Sequence, residues 1–289
     1  LIDAVAATIP SYQLNSLASM PGILSVVTDK GVGITGKGND DPTGTGKGNS
    51  KKNGKNKPHS DAPVVAAGQT QADVQGTNKK DVYDLLDPVS VGIGANQVHD
   101  SIKGKGVTVA VLDTGIYFDK NVRYELGPKV NKLFIGQADF VTPICTGHGT
   151  QFDGHCFFDH DFSEDQYGHG THVAGIIWNN YKDLTTGATL GIAPEANVLS
   201  VRVLDDQGNG SYSGVIAGIQ YIVANQDLHN VQVLNISMSA VPTTPYFIDP
   251  LNRAVEAAWA SGIVVVAAAG NTGPGAETIT VPGNDPYVI

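Results

Sequence analysis

Two short stretches carry side chains suited to acid–base chemistry. Val109-Ala110-Val111-Leu112-Asp113-Thr114-Gly115 puts a carboxylate where an apolar strand stops. Tyr167-Gly168-His169-Gly170-Thr171-His172-Val173-Ala174-Gly175 puts an imidazole where an apolar helix starts. A carboxylate that fixes the tautomer of a histidine and stabilises its imidazolium prepares that ring to deprotonate a serine or cysteine. A second Gly-His-Gly-Thr occurs at Gly147-His148-Gly149-Thr150, but the following Gln151-Phe152-Asp153-Gly154 has no apolar helical continuation, so His169 is preferred over His148. Ala267-Ala268-Ala269-Gly270-Asn271 ends a further strand on an amide, and an NH₂ so placed is a suitable donor to a developing oxyanion.

Such groups work only if a scaffold gathers them. The pattern predicts strands at 107–112, 196–204, 231–237 and 263–269, and helices at 170–179, 213–225 and 250–260. Val215, Ile216, Ile219, Ile222 and Val223 share one face of the second helix; Asp249 caps the third, with Pro250 at its first position. The strands are continuous apolar runs, as expected of a parallel sheet covered by helices on both faces. The fold class is therefore α/β, a doubly wound parallel sheet. Sheets of this kind bind ligands at the carboxyl ends of their strands, which gathers Asp113, the stretch from Ser237 to Ala240, and Asn271 on one rim.

Composition divides the chain. Residues 1–80 carry nine Lys/Arg against six Asp, and residues 81–289 carry nine against twenty-two Asp/Glu. An acidic folded part argues against nucleic acid or an anionic membrane as partner, since both need clustered positive charge. No apolar run is long enough to span a bilayer as a helix. Residues 1–30 read as a short helix at 10–20, a Pro21-Gly22 turn and a strand at 23–27. Residues 31–80, rich in Gly, Lys, Asn, Asp and Thr, read as a flexible linker. Residues 81–289 form the main domain. The chain opens at Leu1 and closes on Pro286-Tyr287-Val288-Ile289, a strand-like opening, and so reads as a fragment truncated at both ends.

The order Asp113, His169, Asn271, with the segments around each, resembles a subtilisin-type serine endopeptidase from about Val107 to the C-terminus. That resemblance implies that Asp113 orients His169, that His169 is general base and then acid, and that Asn271 stabilises the oxyanion. It also implies two peptide-binding edges, one at 204–213 with Gly208, Gly210 and Tyr212, of which Tyr212 borders an apolar subsite, the other at Ser237, Met238 and Ser239. A peptide or protein substrate then binds by strand addition. Residues 1–29 are similar to the second half of the family's inhibitory propeptide, which makes the protein's own propeptide a second partner. No cofactor is required for the chemistry, and structural calcium is a family feature. Secretion is expected. The family's Gly-Thr-Ser-Met-Ala segment is missing from these residues, so the chain alone is expected not to cleave peptides although its full-length parent does. The alternative is a non-catalytic peptide-binding protein of the same fold.

Other features compete with these assignments. Asp-Thr-Gly also marks the catalytic loops of aspartic proteases, which need a second such loop and an all-β fold. Cys145 and Cys156 lie in one Gly/His/Asp-rich stretch; a disulfide between them implies an oxidising compartment. His148, His155, Cys156, Asp159, His160 and Asp161 are of types that ligate zinc, and Asp159, Asp161 and Asp165 of a type that ligates calcium, but neither spacing fits a familiar site. Gly208, Gly210 and Gly214 follow a strand with the wrong spacing for a nucleotide loop. Asn235-Ile236-Ser237 is a glycosylation sequon inside a core strand and is expected to stay unmodified. Trp178 and Trp259 are expected in the core.

Overall fold

The computed structural model describes residues 17–19, 26–34, 89–118, 129–142, 145, 149–153, 155–159, 163–183 and 187–289. In chain order its strands are β1 (Gly31–Gly33), β2 (Thr108–Asp113), β3 (Phe134–Asp139), β4 (Thr150–Phe152), β5 (His155–Asp159), β6 (Asn197–Arg202), β7 (Asn209–Ser211), β8 (Val231–Ile236) and β9 (Val264–Ala267). The principal helices are α1 (His169–Trp178), α2 (Tyr212–Ala224) and α3 (Pro250–Ala260).

Seven strands form one sheet in the order β4-β5-β3-β6-β2-β8-β9. Within it β3, β6, β2, β8 and β9 run parallel, while β5 is antiparallel to β3 and β4 to β5. Successive strand side chains face opposite ways. Ala110 and Leu112 of β2 accordingly pack with Val215, Ile219 and Ile222 of α2, and Val109 and Val111 with Ala174 and Trp178 of α1. Two cores, one on each face, make this the doubly wound α/β architecture expected from the apolar runs. The helices start where their caps are: Ser211 Oγ accepts from Gly214 N at 3.2 Å ahead of α2, and Asp249 Oδ1 accepts from Leu251 N at 3.0 Å ahead of α3.

The chain departs from the sequence reading in several places. Residues 17–18 are helical, but the rest of the helix expected at 10–20 lies outside the described residues, apart from a turn at Ser19. Of the strand expected at 23–27, residues 26 and 27 have no regular structure and the others lie outside the described residues. The strand forms instead at Gly31–Gly33, so residues 31–34, grouped with the linker by composition, are ordered against the main domain. Residues 35–80 lie outside the described residues. The extension β3-β5-β4 was not anticipated. Trp178 is fully buried, whereas Trp259 is 48% exposed with its ring 4.6 Å from that of Tyr287, on the outer side of α3. At the end of the chain Ile289 N donates to Val265 O at 3.0 Å and Ala267 N donates to Ile289 O at 3.0 Å, which continues the sheet edge beyond β9. No helix among the described residues is long and apolar enough to cross a membrane.

Candidate active site

Asp113 is the last residue of β2 and is fully buried. His169 is the first residue of α1, and its Nδ1–H donates to the Asp113 carboxylate, 2.8 Å from Oδ1 and 2.9 Å from Oδ2. A carboxylate only accepts, so this contact puts the ring proton on Nδ1 and leaves Nε2 with its lone pair. The backbone of Thr114 also donates to Asp113 Oδ1 at 2.7 Å, which fixes the carboxylate plane. Close approach of β2 to α1 depends on Gly170: a Cβ there would lie 2.1 Å from Gly115 O and 3.1 Å from Asp113 Cβ. Gly168, at φ +92°, turns the chain into the helix in a conformation that favours glycine.

The start of α1 is held by a residue that sequence reasoning considered only for calcium. Asp165 is 8% exposed and accepts from the backbone of Gly168 (2.7 Å), Tyr167 (3.2 Å) and Thr171 (2.9 Å) and from Thr171 Oγ1 (2.6 Å). Thr171 Oγ1 in turn accepts from Tyr117 N at 2.8 Å, and Thr114 Oγ1 accepts from Gly170 N at 3.0 Å. These bonds lock the loop after β2 to the helix that presents the histidine. An Asp four residues ahead of a helix start is the signal that could have found Asp165. The hydrogen bond to Asp113 raises the His169 pKa above its ordinary 6.5; burial opposes this, and the charges of Asp113 and Asp165 add to it.

The expected peptide edges are both occupied, by the protein's own β1. It pairs antiparallel with β7 in the register Gly31–Ser211, Val32–Gly210 and Gly33–Asn209. On its other side Gly33 N donates to Ser239 O at 3.1 Å and Ser239 N donates to Gly33 O at 3.0 Å. Beyond β1, Ile34 N lies 3.4 Å from Gly208 O, and Asn271 Nδ2 donates to Ile34 O at 2.8 Å. Val32 is 1% exposed and packs in the cluster that holds Leu204, Tyr212, Val215 and Met238. Thus Gly208, Gly210, Tyr212, Ser239 and Asn271 all meet one extended segment, and Met238 shares the apolar cluster that holds Val32. Ser237 instead has its hydroxyl turned to Asn235, whose Nδ2 donates to it at 2.8 Å. That bond leaves the sequon asparagine engaged within the strand. Gly208 and Gly210 serve this backbone pairing, not a nucleotide.

His148, His160 and Asp161 lie outside the described residues. Cys145 and Cys156 form a disulfide with Cα atoms 5.4 Å apart, which removes the Cys156 thiolate from any zinc set. Among the described residues no three His, Cys, Asp or Glu side chains are grouped as a metal site.

The profile described as "Subtilase family" matches residues 104–289. The chain is similar to Serine protease AprX of Bacillus subtilis (strain 168), 36% identical over 218 residues, covering 73% of this chain and 44% of that protein. Subtilisin DY of Bacillus licheniformis is 35% identical over 179 residues, 62% of this chain and 52% of its own length. The Major intracellular serine protease of Bacillus subtilis (strain 168) is 34% identical over 198 residues, 68% of this chain and 53% of its own. The chain thus spans about half the length of the curated relatives it matches.

Proposed function

This chain belongs to the subtilase family, and from that premise we propose that its protein is a serine-type endopeptidase to which these residues contribute the acid, the base, the oxyanion donor and the peptide-binding edges. Asp113 holds His169 with Nδ1 protonated; Nε2 takes the hydroxyl proton of a serine as that oxygen attacks the peptide carbonyl carbon. The imidazolium so formed is stabilised by Asp113 and then gives its proton to the leaving amine. Charge gathering on the carbonyl oxygen is met by Asn271 Nδ2. No Gly-Thr-Ser-Met-Ala segment occurs within these 289 residues, and we assign the serine to the rest of the protein.

One observation carries the reading: a peptide segment lies between the two edges with a carbonyl on the Asn271 amide, while an Asp–His pair stands on the same rim of the sheet. That segment belongs to the protein itself, which supports a zymogen in which the N-terminal part fills the cleft. The disulfide supports an oxidising, extracytoplasmic location; relatives named as intracellular show that family membership alone does not decide it. The test is hydrolysis of a chromogenic peptide by the full-length protein. Cleavage lost on His169→Ala is expected, since loss of the base in subtilisin itself lowers turnover by about 10⁶. Absence of cleavage, with the peptide still bound, would establish the non-catalytic, peptide-binding alternative.

A further inference from the structure

Lys30 is an unusual residue for a segment that lies in a cleft. Its side chain is only 12% exposed, although lysine is rarely buried unless paired. Its Nζ lies 3.6 Å from Oδ2 of Asp249, whose side chain is fully buried, and 5.0 Å from the centre of the Tyr212 ring. Asp249 divides its two oxygens between two tasks. Oδ1 caps α3, accepting from Leu251 N at 3.0 Å and Asn252 N at 3.4 Å; Oδ2 faces Lys30, the Tyr212 hydroxyl at 3.4 Å and Thr244 Oγ1 at 3.2 Å. Burial and the nearby Asp249 push the Tyr212 phenol well above its ordinary value, so the hydroxyl keeps its proton and donates.

The register explains how a peptide reaches this spot. Residues two apart on a strand share a face. Lys30 and Val32 therefore both point into the protein, and Gly31 and Gly33 separate them from each other and from Ile34. Tyr212 N donates to Lys30 O at 2.9 Å, which extends the backbone pairing by one residue. Just before it, Asp29 accepts from Ser213 N at 2.9 Å and Ser213 Oγ at 2.6 Å in the first turn of α2. Any extended peptide that adds to the same edge in the same register brings its own residue to the Asp249 carboxylate.

We propose that Asp249, with the Tyr212 ring, forms an outlying cation-binding subsite of the peptide cleft that selects a lysine two residues before the buried apolar residue, and that Lys30 fills it in cis. A carboxylate and an aromatic face withdrawn from water both favour an ammonium over a neutral or acidic side chain. Asp249 is thereby a specificity-determining residue. The substrate half of this inference rests on the proposed peptidase function; the cis half does not.

Two measurements test it. In this chain, amide hydrogen exchange at Gly33 and Ser239 is compared for the wild type, Lys30→Met, Asp249→Asn and the double variant. Asn caps a helix about as well as Asp, and the melting temperature reports whether α3 is intact. Each single change is expected to lower protection about tenfold, the scale of a desolvated cation with one ring and one carboxylate, and the double change no further. In the full-length protein, kcat/KM is compared for two peptides that differ only by Lys or Glu at that position. Preference for Lys, abolished by Asp249→Asn, is expected. Unchanged protection in Lys30→Met, or additive losses in the double variant, would overturn the subsite. So would equal turnover of the two peptides, or a preference that survives Asp249→Asn. If the full-length protein cleaves neither peptide, the peptidase reading fails, and the exchange measurement still decides the subsite.

Discussion

The side-chain amide of Asn271 donates to the carbonyl of Ile34 at 2.8 Å across 237 residues of chain. The donor proposed for the oxyanion is thus already engaged by a peptide carbonyl of the protein itself. Asn271→Ala removes both roles. In the full-length protein kcat is expected to fall about 10²- to 10³-fold with KM little changed, the loss measured for the corresponding donor in subtilisin. Steady-state kinetics on one peptide checks it; a rise in KM at constant kcat would make Asn271 a ground-state binder.

Val32 anchors β1 by burial in an apolar cluster, at 1% exposure. Val32→Asp puts a carboxylate there without a partner, which costs more than the docked strand gains. Amide exchange at Tyr212 and Ser239, whose N–H groups donate to Lys30 O and Gly33 O, is expected to speed up by at least about tenfold, while the sheet amides of β2 and β6 stay protected. Equal speeding of all of them would mean that the change unfolds the domain.

The raised pKa of His169 sets the sign of a pH effect. A group bound more tightly to its proton in the folded state contributes stability that is fully present below its unfolded value, near 6.5, and is lost as pH rises through the folded one. The melting temperature of the wild type minus that of His169→Ala is therefore expected to be larger at pH 5.5 than at pH 8.5. In the full-length protein the acid limb of kcat/KM lies above pH 6.5, because only the neutral ring accepts a proton. Asp165→Asn, which removes one of the charges that raise this pKa, moves the limb down.

The Cys145–Cys156 disulfide closes a short loop, with 11 residues of sequence separation, that carries the edge strand β4 and ends in β5. For a loop of this size chain entropy gives about 2–3 kcal/mol of stabilisation. Cys145→Ser with Cys156→Ser is expected to lower the melting temperature by several degrees, and a reductant to do the same to the wild type alone.

Most of the scaffold was legible because a parallel strand covered on both faces must be apolar throughout. β2, β6, β8 and β9, with α1, α2 and α3, lie within a few residues of their expected places. β3 escaped because its run includes Gly136 and Gln137. Gln137 is buried but satisfied, its Oε1 accepting from Ser200 Oγ at 2.7 Å and Ile116 N at 2.9 Å, a partnership no local pattern reveals. β1 escaped because Gly31-Val32-Gly33 has little strand propensity of its own; β7, Ser239 and the pocket around Val32 order it. Trp259 was misplaced because its helix position leaves it 48% exposed, its ring against that of Tyr287. Asp113, His169 and Asn271 stood out because each ends or begins an apolar element. Lys30 acts through a contact between distant segments and carries no such mark; Asp249 was legible only as the cap of α3, and Asp165 only by its place four residues ahead of α1.

The claim beneath all of this is that the Asp113 carboxylate holds a proton on Nδ1 of His169 and leaves Nε2 free to act as a base. Nitrogen-15 NMR of the His169 ring across a pH titration measures it directly. The account predicts a midpoint above 6.5 and, in the neutral form, protonation at Nδ1, with both shifted toward those of a free imidazole by Asp113→Asn. A neutral ring protonated at Nε2, or a midpoint at or below 6.5 that Asp113→Asn leaves in place, would contradict it.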